Sequence, residues 1–264
     1  MIVNKITIQD LAALGKRLDT RGLLEYRTPL VIKTNISWTA EGSAWVQIGE
    51  TVVLAGVKLA VEKPYNDTPD QGGIMVNAEL LPLSSPKYES GPPGIEAIEL
   101  ARVIDRGIRE SKALDLKKLC LVPGEKAWFV TIDIITVNDA GNLFDVAGLA
   151  ALIALKTARF PVRDEANGVI DYKKKTSQPL PLVKEPLPVT VYKVNGQLLV
   201  DLTTDEESAY DARLTVASDA QGMLSAMQKG GPGPLTSEEI SAMIDVAREK
   251  AAFLRGELRR QVTA

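Results

Sequence analysis

Hydrophobic and polar positions change their period abruptly within residues 127–156, AWFVTIDIITVNDAGNLFDVAGLAALIALK. Ile132, Ile134 and Thr136 alternate with Thr131, Asp133, Ile135 and Val137, and most of these side chains are β-branched, so the first part predicts a strand. Asn138, Asp139, Ala140, Gly141 and Asn142 interrupt the run with residues that tolerate left-handed backbone angles. Beyond them, 144–156 is apolar almost all the way round, the pattern of a buried helix. Strand, tight turn and buried helix can make an anion site, because the first amides of a helix have no partner within it. A plain connection from strand to helix is the favoured reading of this stretch by itself, since the fold alone does not confer function.

The remaining pattern is mixed. A short amphipathic helix is predicted over 6–18, with Ile8, Leu11, Ala12 and Leu14 as its apolar face. Strands follow over 30–37, 42–48 and 51–61, the last two joined at Gly49-Glu50, and then over 74–83. Loops rich in Pro, Gly, Asp and Ser fill 62–73 and 84–94. Ala97, Leu100, Ala101, Ile104 and Ile108 recur at helical spacing over 95–112, and 117–122 reads as a strand. Further strands are predicted over 189–194, 198–201 and 212–218, the first two joined by an Asn195-Gly196 turn. Thr236-x-x-Glu239 caps a closing helix over 237–260. The fold class is α/β (α+β) in two mixed strand/helix subdomains, 1–160 and 187–264, with 161–186 as a polar, proline-punctuated connecting segment.

Composition changes this picture mainly by exclusion. The 264 residues contain no histidine, which removes Ser-His-Asp triads and histidine-ligated metals. Cys120 is the sole cysteine, so no internal disulfide or thiolate cluster forms, and its apolar neighbours predict a buried small hydrophobe. A net charge of −3 and a pI near 5.3 confine any nucleic-acid contact to a local patch. The N-terminal stretch lacks the apolar core of a signal peptide, and 146–155 is too short to span a bilayer. A cytoplasmic protein without a membrane partner is expected.

Three charged groupings are candidates for chemistry. Arg102, Arg106 and Arg109, with Lys112 following, share one helix face opposite the apolar stripe, a line suited to phosphate contact. Glu99, Asp105 and Glu110 lie within pairing distance, so spacing alone favours a salt-bridged surface. Asp201, Asp205, Glu206, Glu207 and Asp211 cluster at a strand-to-turn transition without the spacing of a calcium loop, and read as solvated acids. Lys173-Lys174-Lys175 is the only basic run and reads as a solvated loop.

Four strings carry a resemblance: LDTRGLLEYR at 18–27, IGETVVLAGVKL at 48–59, IELARVIDRGIRESKALDL at 98–116 and VNDAGNLFDVAGLAALIAL at 137–155. They and the order of elements resemble the RNase PH family of phosphorolytic 3′ exoribonucleases over nearly the whole chain. Within it, the similarity is greatest to the non-catalytic RNase PH-like subunit of the archaeal exosome core ring. The resemblance implies the RNase PH-like fold and a turn that in catalytic members reads Asp-x-Gly-Ser/Thr-Arg and holds the attacking phosphate. Here Asn142 and Leu143 stand at the last two of these positions, and a leucine cannot donate to a phosphate oxygen. Two family aspartates fall on Glu207 and Arg213 in an ungapped match, and an arginine there reverses the charge.

The resemblance therefore implies a chain that is inactive alone and carries no catalytic residue, metal or cofactor of its own. It would pair with a catalytic RNase PH-like subunit as a trimer of heterodimers, with inorganic phosphate consumed at the partner's site. RNA-binding cap subunits and single-stranded RNA are the further partners. The family holds RNA phosphates with the helix that here carries Arg102, Arg106, Arg109 and Lys112, which makes these four the expected RNA-binding residues. The alternative is a self-sufficient phosphorolytic exoribonuclease, with a phosphate site built from Arg102, Arg106 and the Asn142 amide.

Overall fold

A computed structural model describes residues 4–164 and 168–262. Residues 1–3 of the expected first subdomain, 165–167 of the connecting segment and 263–264 lie outside the described residues. In chain order the elements are α1 Lys5–Ala13, β1 Leu30–Thr34, β2 Gly42–Ile48, β3 Thr51–Glu62, β4 Gly73–Glu79, α2 Ile95–Glu110, β5 Cys120–Val122, β6 Lys126–Asn138, α3 Leu143–Thr157, β7 Arg159–Arg163, β8 Ile170–Pro179, β9 Leu187–Val194, β10 Gln197–Val200, α4 Thr204–Glu207, β11 Ala212–Ser218, β12 Leu224–Gly230 and α5 Ser237–Val262.

Two sheets enclose a helical layer. The first runs β1-β2-β3-β6-β4 with β5 added beside β6, and the second runs β10-β9-β11-β12. In β6 the period-2 alternation is realised, since Ile132, Ile134 and Thr136 are buried while their alternates are partly open. The buried face receives α3, whose residues from Asp145 to Leu155 are all buried because the second sheet covers its far side. Gly148 permits that second contact: a Cβ there would come within 2.2 Å of Pro188 on β9. α2 bridges β4 and β12 in the same layer, while α5 packs on β9 and β11 and reaches β1 with its C-terminal end. One continuous core joins residues of both sheets.

Most predicted elements are present, and the departures have local causes. α1 stops at Ala13 because Gly15 turns left-handed, which leaves Leu14 exposed instead of on an apolar face. β1 stops at Thr34, ahead of the left-handed Asn35. The expected strand over 117–122 begins as a turn of 3₁₀ helix, Leu116–Leu119, and Cys120 is half-exposed rather than buried. Lys173, Lys174 and Lys175 lie in β8, not in a loop, within a two-stranded ribbon that β7 and β8 form in the segment after α3. α4 and β12 were not expected from the pattern. Thr203-x-x-Glu206, a reciprocal capping box, is the overlooked signal for α4.

Candidate functional site

The turn between β6 and α3 is the floor of a cleft of about 370 Å³ walled by α2, α4 and β11. Its shape is fixed from behind by the 18–27 string. Arg27 donates to the carbonyls of Ala140 (2.6 Å) and Gly141 (3.0 Å), and Thr51 Oγ1 donates to Gly141 O at 2.6 Å. Gly141 has φ +96°, and a Cβ there would lie 2.4 Å from the Leu202 carbonyl, so both angle and space demand glycine. Asn142 follows in the left-handed region at φ 60°, and its Nδ2 donates to Asp145 Oδ2 in the first turn of α3 at 3.3 Å.

Behind the turn lies a closed ionic network. Asp201 is fully buried and accepts from the Arg27 amide (2.6 Å) and guanidinium (2.8 and 3.0 Å), from Arg21 (3.2 Å) and from Asn142 Nδ2 (2.9 Å). Arg17 pairs with buried Glu206. Asp145, in the first turn of α3, accepts from Tyr26 Oη and the Thr190 amide, both at 2.7 Å. Burial outweighs these donors and pushes the Asp145 carboxyl up to about 7. Asn142 Oδ1 is a buried polar atom left without a partner.

The capping amide at the start of α3 is taken. The Asn142 amide donates to Glu207 Oε1 at 2.8 Å, so a carboxylate from α4 sits where a free amide could meet a phosphate. Burial raises the Glu207 carboxyl above its ordinary range, opposed by the Asn142 amide and by Tyr192 Oη at 3.3 Å. Glu207 is therefore a half-buried, hydrogen-bonded group, not one of a row of solvated acids. Glu206 and Asp201 are fully buried, which corrects the sequence reading of that cluster.

The cations of the cleft are also engaged. Arg213 donates to Glu99 Oε1 at 2.7 Å and lies 4.4 Å from the ring centroid of Phe144, flattened against the first turn of α3. Lys87 sits 3.0 Å from Asp139; burial works against its charge, but Asp139 raises its pKa overall. Tyr88 Oη donates to the same carboxylate at 2.6 Å. Lys87 and Arg213 face Glu96, Glu99, Asp139 and Glu207 across the lining, an excess of acid that disfavours an added anion. The Leu143 side chain offers it no donor. Among the described residues no group of three or more His, Cys, Asp or Glu side chains could hold a metal ion.

The four expected RNA-binding residues fall into different situations. Arg102 and Arg106 are exposed on the outer face of α2, and Arg106 makes only a 3.5 Å contact with Gln228. Arg109 is bound to Asp105 at 2.7 Å and to the Ile74 carbonyl at 2.9 Å, the salt-bridged arrangement that spacing allowed. Lys112 lies past the helix end at φ 54° and does not continue the face.

The profile of the 3′ exoribonuclease family's first domain, RNase PH, matches residues 25–161, and that of its second domain matches 184–250. The chain belongs to the RNase PH family. Its relatives include the exosome complex component Rrp42 of Thermococcus onnurineus, 48% identical over 243 residues that make up 91% of this chain and 89% of that one. A chain of the Archaeoglobus fulgidus exosome with RNA bound to the active site superimposes with a TM-score of 0.88 at 41% identity, covering 96% of this chain and 97% of that one. A chain of an archaeal exosome core superimposes with a TM-score of 0.84 at 38% identity, covering 97% of this chain and 96% of the other. The RNase PH strings thus have structural reasons here: 18–27 supplies Arg27, which holds the turn, and 137–155 is the turn and the buried helix. No helix among the described residues is long and apolar enough to cross a membrane.

Proposed function

We propose that this chain is the non-catalytic, RNA-binding structural subunit of an archaeal exosome. In this reading it pairs with a catalytic RNase PH-like subunit, three such pairs closing a ring, and helps to form the active site for phosphorolytic 3′-to-5′ RNA degradation. The observation that carries it is the Glu207 carboxylate on the Asn142 amide, 2.8 Å away. A phosphate nucleophile at that amide would have to displace the Glu207 carboxylate and would find the Leu143 side chain and an already paired Arg213. Two relatives described as exosome structures, one with RNA bound, support the assembly and its ligand. Inorganic phosphate is then consumed at the partner's site, and this chain needs no cofactor. Arg102 and Arg106 lie open on α2, free to meet RNA phosphates beside the partner's chemistry. RNA-binding cap subunits and a cytoplasmic location complete the proposal.

The alternative of a self-sufficient exoribonuclease loses one of its components, since the Asn142 amide it requires is already bonded. The test is phosphate-dependent decay of single-stranded RNA by the chain, its catalytic sister and their mixture. Nucleoside diphosphates released only or mainly by the mixture support the proposal, and robust release by this chain alone refutes it.

A further inference from the structure

The connection from β1 to β2 carries an aromatic side chain that the fold does not use. Trp38 is 94% exposed, between the exposed or half-exposed Ser37 and Thr39, whereas a tryptophan ordinarily buries most of its large surface. Its loop is nevertheless anchored. Lys58 Nζ donates to the Thr39 carbonyl at 2.6 Å and lies 5.5 Å from the ring centroid of Tyr172, itself exposed on β8. Lys175 Nζ donates to the Ala40 carbonyl at 2.5 Å. These bonds bring Trp38, Tyr172 and the lysines of β8 onto one platform at the β1–β2 edge of the first sheet.

Charge on this platform runs against that of the whole chain. Beside Lys58, Lys173, Lys174 and Lys175 stand Glu41, paired with Lys58 at 3.0 Å, and Asp171, paired with Lys174 at 3.3 Å. The local excess is positive while the protein carries −3 overall. Lysines would satisfy any anionic chain, but an acidic peptide leaves the Trp38 ring without a flat partner. Unpaired bases stack on exposed rings while lysines follow the phosphates, which is how single strands are held without sequence preference.

We propose that Trp38 and Tyr172, with Lys58 and Lys173–Lys175, form a second binding surface for single-stranded RNA. It is separate from the arginine face of α2, which packs on β4 at the opposite edge of the sheet. The surface goes beyond the proposed function and stands whether or not the cleft is catalytic.

The test uses the full chain and an oligoadenylate of about 16 nucleotides, following tryptophan emission and affinity together. Trp128 is buried and Trp45 half-buried, so a quench by RNA reports chiefly on Trp38. RNA is expected to quench the emission, and Trp38→Ala to remove the quench and weaken binding at least about fivefold, with Trp38→Phe retaining most of the affinity. Replacing Lys173 and Lys174 by alanine should reduce the slope of log affinity against log salt by about 1 to 2. The variant with Arg102→Ala and Arg106→Ala should keep the quench, which separates this surface from the one invoked above. Emission unmoved by RNA, unchanged affinity in Trp38→Ala, or a quench lost with the two arginines would each overturn the proposal. A quench by poly-glutamate but not by RNA would mark a protein-docking surface and overturn it as well.

Discussion

Two charged regions of this molecule lie on neighbouring elements and are built on opposite plans. In and below the cleft, Arg17, Arg21, Arg27 and Arg213 are each matched by a carboxylate, and the Asn142 amide at the head of α3 is taken by Glu207. On the outer face of α2, Arg102 and Arg106 have no carboxylate partner among the described residues. The first plan closes a site and makes its charges serve the fold, because a buried charge must be paired to be tolerated. The second leaves charge available to a ligand. On the proposed reading, a family active site loses its chemistry from within while the adjacent face stays open for binding.

The widest separation between the plans should appear in stability. Asp201→Ala strands the buried guanidinium of Arg27 and releases Asn142, and should cost about 3–5 kcal/mol in urea unfolding. Arg102→Ala, on the open face, should stay within about 0.5 kcal/mol of the parent. Equal losses for the two would erase the contrast.

The next effect is a pH slope confined to the closed region. Asp145 titrates near 7 in the folded chain because of its burial, against an ordinary carboxylate value near 4 when unfolded. Between roughly pH 4 and 7 the folded state therefore holds a proton that the unfolded state has released, so this group's contribution to stability falls as pH rises and is level above 7. Its amplitude is on the order of a few kcal/mol, and Glu207, raised for the same reason, adds to the slope with the same sign. Asp145→Asn should flatten the dependence of the urea midpoint over that window, and an undiminished slope would place its origin elsewhere.

A chemical probe sharpens the comparison further. Leu143→Arg restores the residue that the family's phosphate-holding turn carries, yet phosphate-dependent RNA decay by the isolated chain should remain undetectable because Glu207 still occupies the Asn142 amide. Appearance of activity from that single change would show the site to be open after all. The smallest effect belongs to the open face. Within the assembled complex, replacing Arg102 and Arg106 by alanine should weaken RNA binding and lower the salt slope by about 1 per residue. Arg109→Ala should do less, since Asp105 already holds that guanidinium at 2.7 Å. Unchanged RNA affinity in the double variant would remove the arginine face from the account.

What could be read from the sequence follows the same division. Periodicity located β6, α3 and the turn between them, because each is set by burial of its own residues. It also located α2 and its arginine face, and spacing allowed the Arg109–Asp105 pair, but it did not show that Lys112 would leave the helix. The closed network was illegible for a physical reason. Arg27 and Asp201 are 174 residues apart, and nothing local distinguishes a buried acid from a solvated one. Asp201, Glu206 and Glu207 looked like a solvated cluster, and only their placement beneath α3 gives them structural work. The capping box at Thr203 and Glu206 was the one local clue that this stretch presents Glu207 from a fixed helix.

The most direct test of the central claim is the decay of single-stranded RNA in phosphate by this chain alone, by its catalytic sister alone and by the two mixed. The account predicts nucleoside diphosphate release only or mainly in the mixture. Robust release by this chain alone would contradict it, and would mean that Glu207, Leu143 and Arg213 do not close the site.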